Sequence, residues 1–176
     1  LKIYLSLLAS AGPKEARRLQ ADLAAITDGL IEEIQSQKQL VNAESRTLQV
    51  SPSLIASREL AEELASAFAR ARPGWGLRLA PDAESFALVS DAAILRRVLA
   101  NMLRNALEAA PPGTPVTLGF GRDGSECRFW VHNHGAIPEA VQGQVFRRYF
   151  STKGRDRGLG TYSMKLLTEQ YLGGRV

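Results

Sequence analysis

The sequence predicts an α+β protein: an antiparallel helical hairpin followed by a two-layer domain of helices on a mixed sheet. Three observations predict it. Between Lys14 and Asn42 apolar residues recur at Ala16, Leu19, Leu23, Ile26, Leu30, Ile34 and Leu40 or Val41, mostly at alternating spacings of three and four, which is the period of a helix with one apolar seam. After "RPGWG" at 72–76 the pattern changes to short strand-like runs alternating with helical ones. Two of those runs, "PVTLGFG" and "CRFWVHN", flank "RDGSE", whose Asp-Gly pair signals a hairpin.

Taken in order, "LKIYLSLLAS" reads as the tail of a first helix, closed by "AGP". The second helix, about Lys14 to Asn42, carries Gln37 in its seam and Gly29 in its interior at some cost in propensity. Folded on the first helix alone, this seam would bury little, so it is expected to pack on a second copy as a dimeric four-helix bundle. "SRTLQVSPS" is a connector, and a third helix is expected from Leu54 to about Arg72, apolar at Leu54, Ile55, Leu60, Leu64 and Phe68. "LRLA" and "FALVS" read as strands joined by the polar turn "PDAE". A helix from about Asp91 to Ala110 is broken by "PPG", and the hairpin follows. "PEAVQGQVF" is a short helix with Pro138 in its first turn, and "LGTYSMKLLTEQYL" is a last helix stopped by Gly173 and Gly174. The expected organisation is therefore a hairpin at 1–45, a linker at 46–53 and a mixed domain at 54–176. The start at Leu1 without Met, and the end at "YLGGRV", which reads like the entry to another strand, point to a piece of a longer protein.

Composition narrows the function classes. The chain has 176 residues, 45% hydrophobic and 23% charged, enough for one domain plus an appendage. No apolar run has the ~20 residues of a membrane span, and no signal-peptide pattern opens the chain. Cys127 is the single cysteine, which excludes an internal disulfide and suits a reducing, cytoplasmic compartment. The net charge of +4 is mildly basic, and Arg147, Arg148, Lys153, Arg155 and Arg157 concentrate it in one glycine-bearing stretch. That clustering fits a polyphosphate better than a nucleic-acid duplex, with a solvated loop as the plain alternative.

Two constellations carry chemistry. In "DAAILRRVLANMLRNALEAA", Asn101, Asn105 and Glu108 share one face of an otherwise apolar helix. Asn is an indifferent helix former, so two of them one turn apart call for a reason. Either the face is a solvent-exposed stripe, or it lines a cleft where an amide oxygen meets a hard cation such as Mg²⁺. In "FSTKGRDRGLGTYSMK", Gly158 and Gly160 bracket Leu159 directly before a helix, where backbone N–H groups and the positive end of the dipole favour phosphate. This is neither a Walker A loop nor a GxGxxG after a strand. The only histidines, His132 and His134, lie on one face of a strand end, with Cys127 on the other, so no third metal ligand is near in sequence.

Together and in this order the motifs resemble the catalytic ATP-binding domain of sensor histidine kinases, the GHKL or Bergerat ATP-binding fold. "NMLRNALEAA" resembles the N box, "VHNHGAIP" the first glycine box, "FRRYF" the F box and "RGLGTYSMK" the second glycine box. The resemblance covers about Leu54 to Val176, and the preceding hairpin resembles the dimerisation and phosphotransfer region of that family. It implies ATP and Mg²⁺ as cofactors, with Asn105 as the Mg²⁺ ligand and Asn101 beside the phosphates. Asn133, Gly135 and Ile137 fall at the adenine loop, and Phe146 and Phe150 in the F box. Thr152, Lys153 and Arg157 fall in a basic lid, and Gly158, Leu159, Gly160 and Thr161 at the triphosphate. Related ATPases of topoisomerases and chaperones carry a Glu at the Asn101 position to activate water; an Asn is no general base and suits transfer to a side chain.

The sequence departs from the family at three points. Asn133 stands where an Asp accepts a bond from the adenine amino group, so the bond loses charge assistance, worth about 1 kcal/mol. Gly135 supplies the first glycine of that box and the second is missing, since Ile137 follows Ala136 directly, and Glu108 stands where many relatives have a Lys. No His lies between Leu1 and Trp130, so the phosphoacceptor is expected just before Leu1; a protein without one is the alternative. The resemblance implies a homodimer joined through the hairpin, a response-regulator receiver domain as partner, no nucleic acid, and membrane contact only through regions outside this chain. The rival readings are a non-enzymatic pseudokinase or phosphotransfer adaptor, a hydrolytic ATPase, which Asn101 opposes, and a nucleic-acid binder supported only by charge.

Overall fold

The computed structural model describes residues 12–71, 74, 76–150 and 159–176; the helix expected at 1–10 and the segment 151–158 lie outside them. The chain divides into two units, Leu1–Leu48 and Gln49–Val176.

In the first unit, helix α1 runs Pro13–Glu44, with Pro13 at its first turn, where a missing N–H costs nothing, and Gly12 as an extended N-cap. Its C-terminus is sealed by side chains and by one left-handed residue. The Ser45 hydroxyl donates to Val41 O at 2.8 Å, Arg46 takes φ 58°, and the Thr47 and Leu48 N–H groups both donate to Asn42 O. Of the two residues that could close the seam, Leu40 is buried and Val41 is exposed, and Ala43 joins Leu40. Ile26, Leu30 and Ile34 are 41%, 53% and 65% exposed in the single chain, a row of apolar side chains at fourfold spacing. No helix among the described residues is long and apolar enough to cross a membrane.

The second unit holds two sheets. Strand β1 (Pro52–Ala56) pairs antiparallel with β3 (Ala87–Asp91), setting Leu54 opposite Val89. This corrects the expectation that Leu54 opened a helix. Leu54 is exposed and Ile55 buried, the alternation of a strand, and helix α2 begins only at Ser57 and ends at Ala71. Pairing with a segment over thirty residues away overrides the local helical pattern. The Ser57 hydroxyl accepts from Phe86 N–H at 2.9 Å, and Ser57 N–H donates back to Phe86 O, so this boundary is set by β3's approach.

Strand β2 (Leu77–Leu79) does not pair with β3 across "PDAE", as a simple turn would have it. It lies parallel to β4 (Val116–Asp123), which is antiparallel to β5 (Glu126–His132), giving the order β2-β4-β5. The Asp-Gly signal marks a real hairpin: Asp123 faces Glu126 across a two-residue loop whose first residue, Gly124, takes φ 60°.

The core lies between the strands and two helices. Helix α3 (Ala92–Ala109) contributes Leu95, Leu99, Leu103 and Ala106; α2 contributes Leu60, Ala61 and Leu64; β4 contributes Val116, Leu118 and Phe120, each fully buried. Each such large side chain stabilises the fold by about 1.5–3 kcal/mol. On β4, Trp130 lies across the backbone of Gly119, where any Cβ would fall inside the indole, and reaches Gly121. Asp91 fixes the start of α3: one carboxylate oxygen accepts from Ile94 N–H at 2.9 Å, the other from Ser51 N–H at 2.8 Å. The chain continues through a short helix α4 (Glu139–Gln142) to α5 (Gly160–Gln170), which packs on α3.

Candidate functional site

On α3 the polar face is graded rather than uniformly solvated. Asn101 is 8% exposed, Asn105 is half-buried and Glu108 is exposed. A purely solvated stripe would not bury its first member, so this face enters the protein where α5 packs against it. Asn105 points at the start of α5: a Cβ on Gly160 would stand 3.9 Å from Asn105 Oδ1. The N box and the second glycine box therefore meet at a point where backbone and an amide oxygen face one space.

The α5 terminus carries neither a side-chain cap from its N-cap residue, Leu159, nor an acid in its first turn. The helical ladder begins with Ser163 N–H donating to Leu159 O at 2.8 Å, and the N–H groups of a helix's first turn point toward its start. Leu159, Gly160 and Thr161 are half-buried there. Thr152, Lys153, Arg157 and Gly158 lie outside the described residues.

The loop after β5 carries the first glycine box. Asn133 is half-buried, and its Nδ2 donates to His134 O at 3.1 Å, which commits the donor side of the amide to the loop. Gly135 takes φ 119°, a conformation that glycine alone adopts without strain. Ile137 is 53% exposed, and its carbonyl accepts from Gln142 Nε2 at 2.9 Å, which ties the loop to α4. His132 and His134 are both exposed, edge to face with ring centroids 6.0 Å apart. Among the described residues no group of three or more His, Cys, Asp or Glu is placed to hold a metal ion.

In the F box, Phe146 and Phe150 are half-buried. Lys165 Nζ of α5 stands 5.8 Å from the Phe146 ring centre. The sequence reading counted Arg148 only as charge and passed over Tyr162. The structure sets the Arg148 guanidinium over Tyr149 and, across the gap, over Tyr162 of α5. The aromatic-basic run "RRYF" is the one sequence signal that pointed to such a contact.

Comparison with known proteins bears on the fold and on the C-terminal part of the chain. Residues 90–176 match the family described as Histidine kinase-, DNA gyrase B-, and HSP90-like ATPase. No curated protein sequence matches the chain. Among solved structures, the mycobacterial sensor histidine kinase MprB is similar at TM-score 0.60 and 21% identity, over 69% of this chain and 80% of that one. Histidine kinase AdeS of Acinetobacter baumannii is similar at TM-score 0.67 and 16% identity, over 96% of this chain and 81% of that one. Full-length ShkA in complex with AMPPNP is similar at TM-score 0.70 and 20% identity, over 93% of this chain and 36% of that one. At these identities the likeness is one of fold. Residues 90–176 thus match that ATPase family, and the chain shares the fold of solved sensor histidine kinases.

Proposed function

We propose that this chain is the ATP-binding and dimerisation part of a cytoplasmic sensor histidine kinase, which passes the γ-phosphoryl group of Mg·ATP to a histidine for relay to a response-regulator Asp. The observation that carries the reading is the meeting of Asn105 Oδ1 with Gly160 at the start of α5. A neutral amide oxygen suits Mg²⁺, which keeps most of its shell for water and phosphate oxygens, and a glycine beside it leaves room for the triphosphate. Asn105 would hold the Mg²⁺, whose charge when bound offsets that of the phosphates. Asn101 would line the phosphate side, and the first turn of α5 would bind phosphate oxygens. Asn133 would accept from the adenine amino group through its amide oxygen, since its nitrogen already serves the loop. Gly135 and Ile137 would complete that loop, and Phe146 and Phe150 would belong to the F box beside the basic segment that carries Thr152, Lys153, Arg157 and Gly158.

In the transfer, the acceptor imidazole nitrogen bonds to the γ-phosphorus as the bond to the β,γ-bridging oxygen breaks, and ADP leaves with that electron pair. The imidazole proton passes to solvent. Catalysis rests on positioning and charge neutralisation, and Asn101 supplies no base to activate competing water. Neither His132 nor His134 lies on the helical unit, so the acceptor belongs to the residues preceding Leu1. The exposed Ile26, Leu30 and Ile34 support pairing of the hairpin with a second copy. In this reading 1–45 is the dimerisation and phosphotransfer hairpin, 46–53 the link and 54–176 the catalytic domain.

The test is incubation of the polypeptide that includes the residues before Leu1 with labelled ATP and Mg²⁺. An acid-labile, base-stable phosphoprotein, lost in Asn105→Ala, is the expected result. Nucleotide binding without phosphoprotein would replace the kinase with a non-enzymatic adaptor, and steady phosphate release without an acceptor would replace it with a hydrolase.

A further inference from the structure

The turn Gly143–Phe150 contains the most strained side-chain-bearing residue of its unit. Tyr149 takes φ 61°, and among the described residues only Arg46 of the other unit shares a positive φ without being glycine. For a bulky aromatic residue this is an unfavourable conformation that persists only where contacts enforce it. Burial does not enforce it, because Tyr149 is 62% exposed. Cation–aromatic contacts are present. The Arg148 guanidinium carbon lies 4.9 Å from the Tyr149 ring centre and 6.0 Å from that of Tyr162, within the range where a cation is drawn to an aromatic face. Lys165 makes a parallel contact with Phe146 at 5.8 Å. Tyr162 and Lys165 are three apart on α5 and so share one face of it.

We infer that Arg148 is a positioning residue for the nucleotide site: held between Tyr149 and Tyr162, its guanidinium clasps the Gly143–Phe150 turn to the first turn of α5. The inference rests on the nucleotide reading above and adds a residue that the motif comparison does not assign. Tyr162 directly follows Thr161 at the helix start, so whatever holds its ring also holds the N–H groups that would meet the phosphates. Asn105 braces that start from α3, and Arg148 braces it from the F box. The strained φ of Tyr149 is then the cost of bringing both rings to one guanidinium. Arginine is required because a planar fork stacks on two rings at once, which an ammonium on a flexible stem does not.

The test compares Mg·ATP affinity by calorimetry in wild type, Arg148→Ala, Tyr162→Leu, the double variant and Arg148→Lys, with amide hydrogen exchange across Tyr162–Met164 measured without nucleotide. Loss of the contact predicts affinity lower by about three- to thirtyfold in each single variant. It also predicts a double variant no weaker than the worse single, an Arg148→Lys variant close to Arg148→Ala, and faster exchange in the first turn of α5. Additive losses, full recovery by Lys, or unchanged affinity would each overturn the clasp. Should wild type bind no Mg·ATP, the nucleotide reading fails by itself, and exchange then decides the clasp: acceleration in Arg148→Ala supports it and unchanged exchange overturns it.

Discussion

Replacing Gly160 with alanine separates what the fold needs from what the ligand needs. Among the described residues the added Cβ meets nothing closer than Asn105 Oδ1 at 3.9 Å, an ordinary van der Waals contact, and Gly160 does not occupy the left-handed region. The free protein therefore has no steric reason to object. Alanine is the better helix former by up to about 1 kcal/mol in an interior position, and less in a first turn. Stability should thus hold or rise by a few tenths of a kcal/mol, moving the melting midpoint of the Gln49–Val176 unit upward by about 1–2 °C. The nucleotide meets the opposite situation. A methyl group placed between Asn105 and the α5 start occupies the space a phosphate oxygen would enter, and forcing an extra carbon into a filled site costs about 1–3 kcal/mol. That corresponds to roughly a five- to 150-fold loss in Mg·ATP affinity. Calorimetric titration alongside thermal melts followed by circular dichroism reads both quantities. Unchanged affinity would refute the argument that glycine makes room for phosphate here. A midpoint several degrees lower would refute the argument that packing tolerates the methyl.

Further perturbations read other parts of the molecule. Gly119→Ala drives a methyl into the Trp130 indole and should cost about 1–3 kcal/mol; in a Trp130→Ala background the same change should cost far less, and equal costs would mean the indole is not the obstacle. Asn133→Ala should weaken ATP binding more than His132→Ala and His134→Ala combined, as measured by displacement of a fluorescent nucleotide, and equal losses would remove Asn133 from the adenine contact. Asp91→Ala removes acceptors from both Ile94 N–H and Ser51 N–H in a buried position, and urea denaturation should report a loss of about 1–3 kcal/mol; a loss near zero would mean that water replaces both bonds.

Elements whose signals are local were legible residue by residue. Helix α3 was readable because an apolar face and a terminating "PPG" lie within about twenty residues of one another. The β4–β5 hairpin was readable because its turn needs a glycine at one place, and Gly124 is there. Strand β1 was misread because "SLIASREL" satisfies a helical pattern as well as a strand. Its identity depends on Ala87–Asp91 arriving alongside, which no window of that length contains. The pairing of β2 with β4 rather than β3 was hidden for the same reason.

The order of four short motifs, each with residue types matched to phosphate or cation, was enough to place this chain near the ATPases whose family its C-terminal half matches. Residue type is a property of sequence, and amide oxygens before a glycine-bounded helix start imply their chemistry wherever they occur. Whether such groups face one another is a property of packing. Asn105 and Gly160 are fifty-five positions apart, and only the seating of α5 on α3 brings an amide oxygen and a bare backbone to one space. Tyr162 and Arg148 likewise meet through the turn after α4, the first turn of α5 and one strained residue rather than by any local pattern. Side-chain chemistry is carried along the chain one residue at a time, but the distances that turn it into a site come from burying apolar faces remote in sequence.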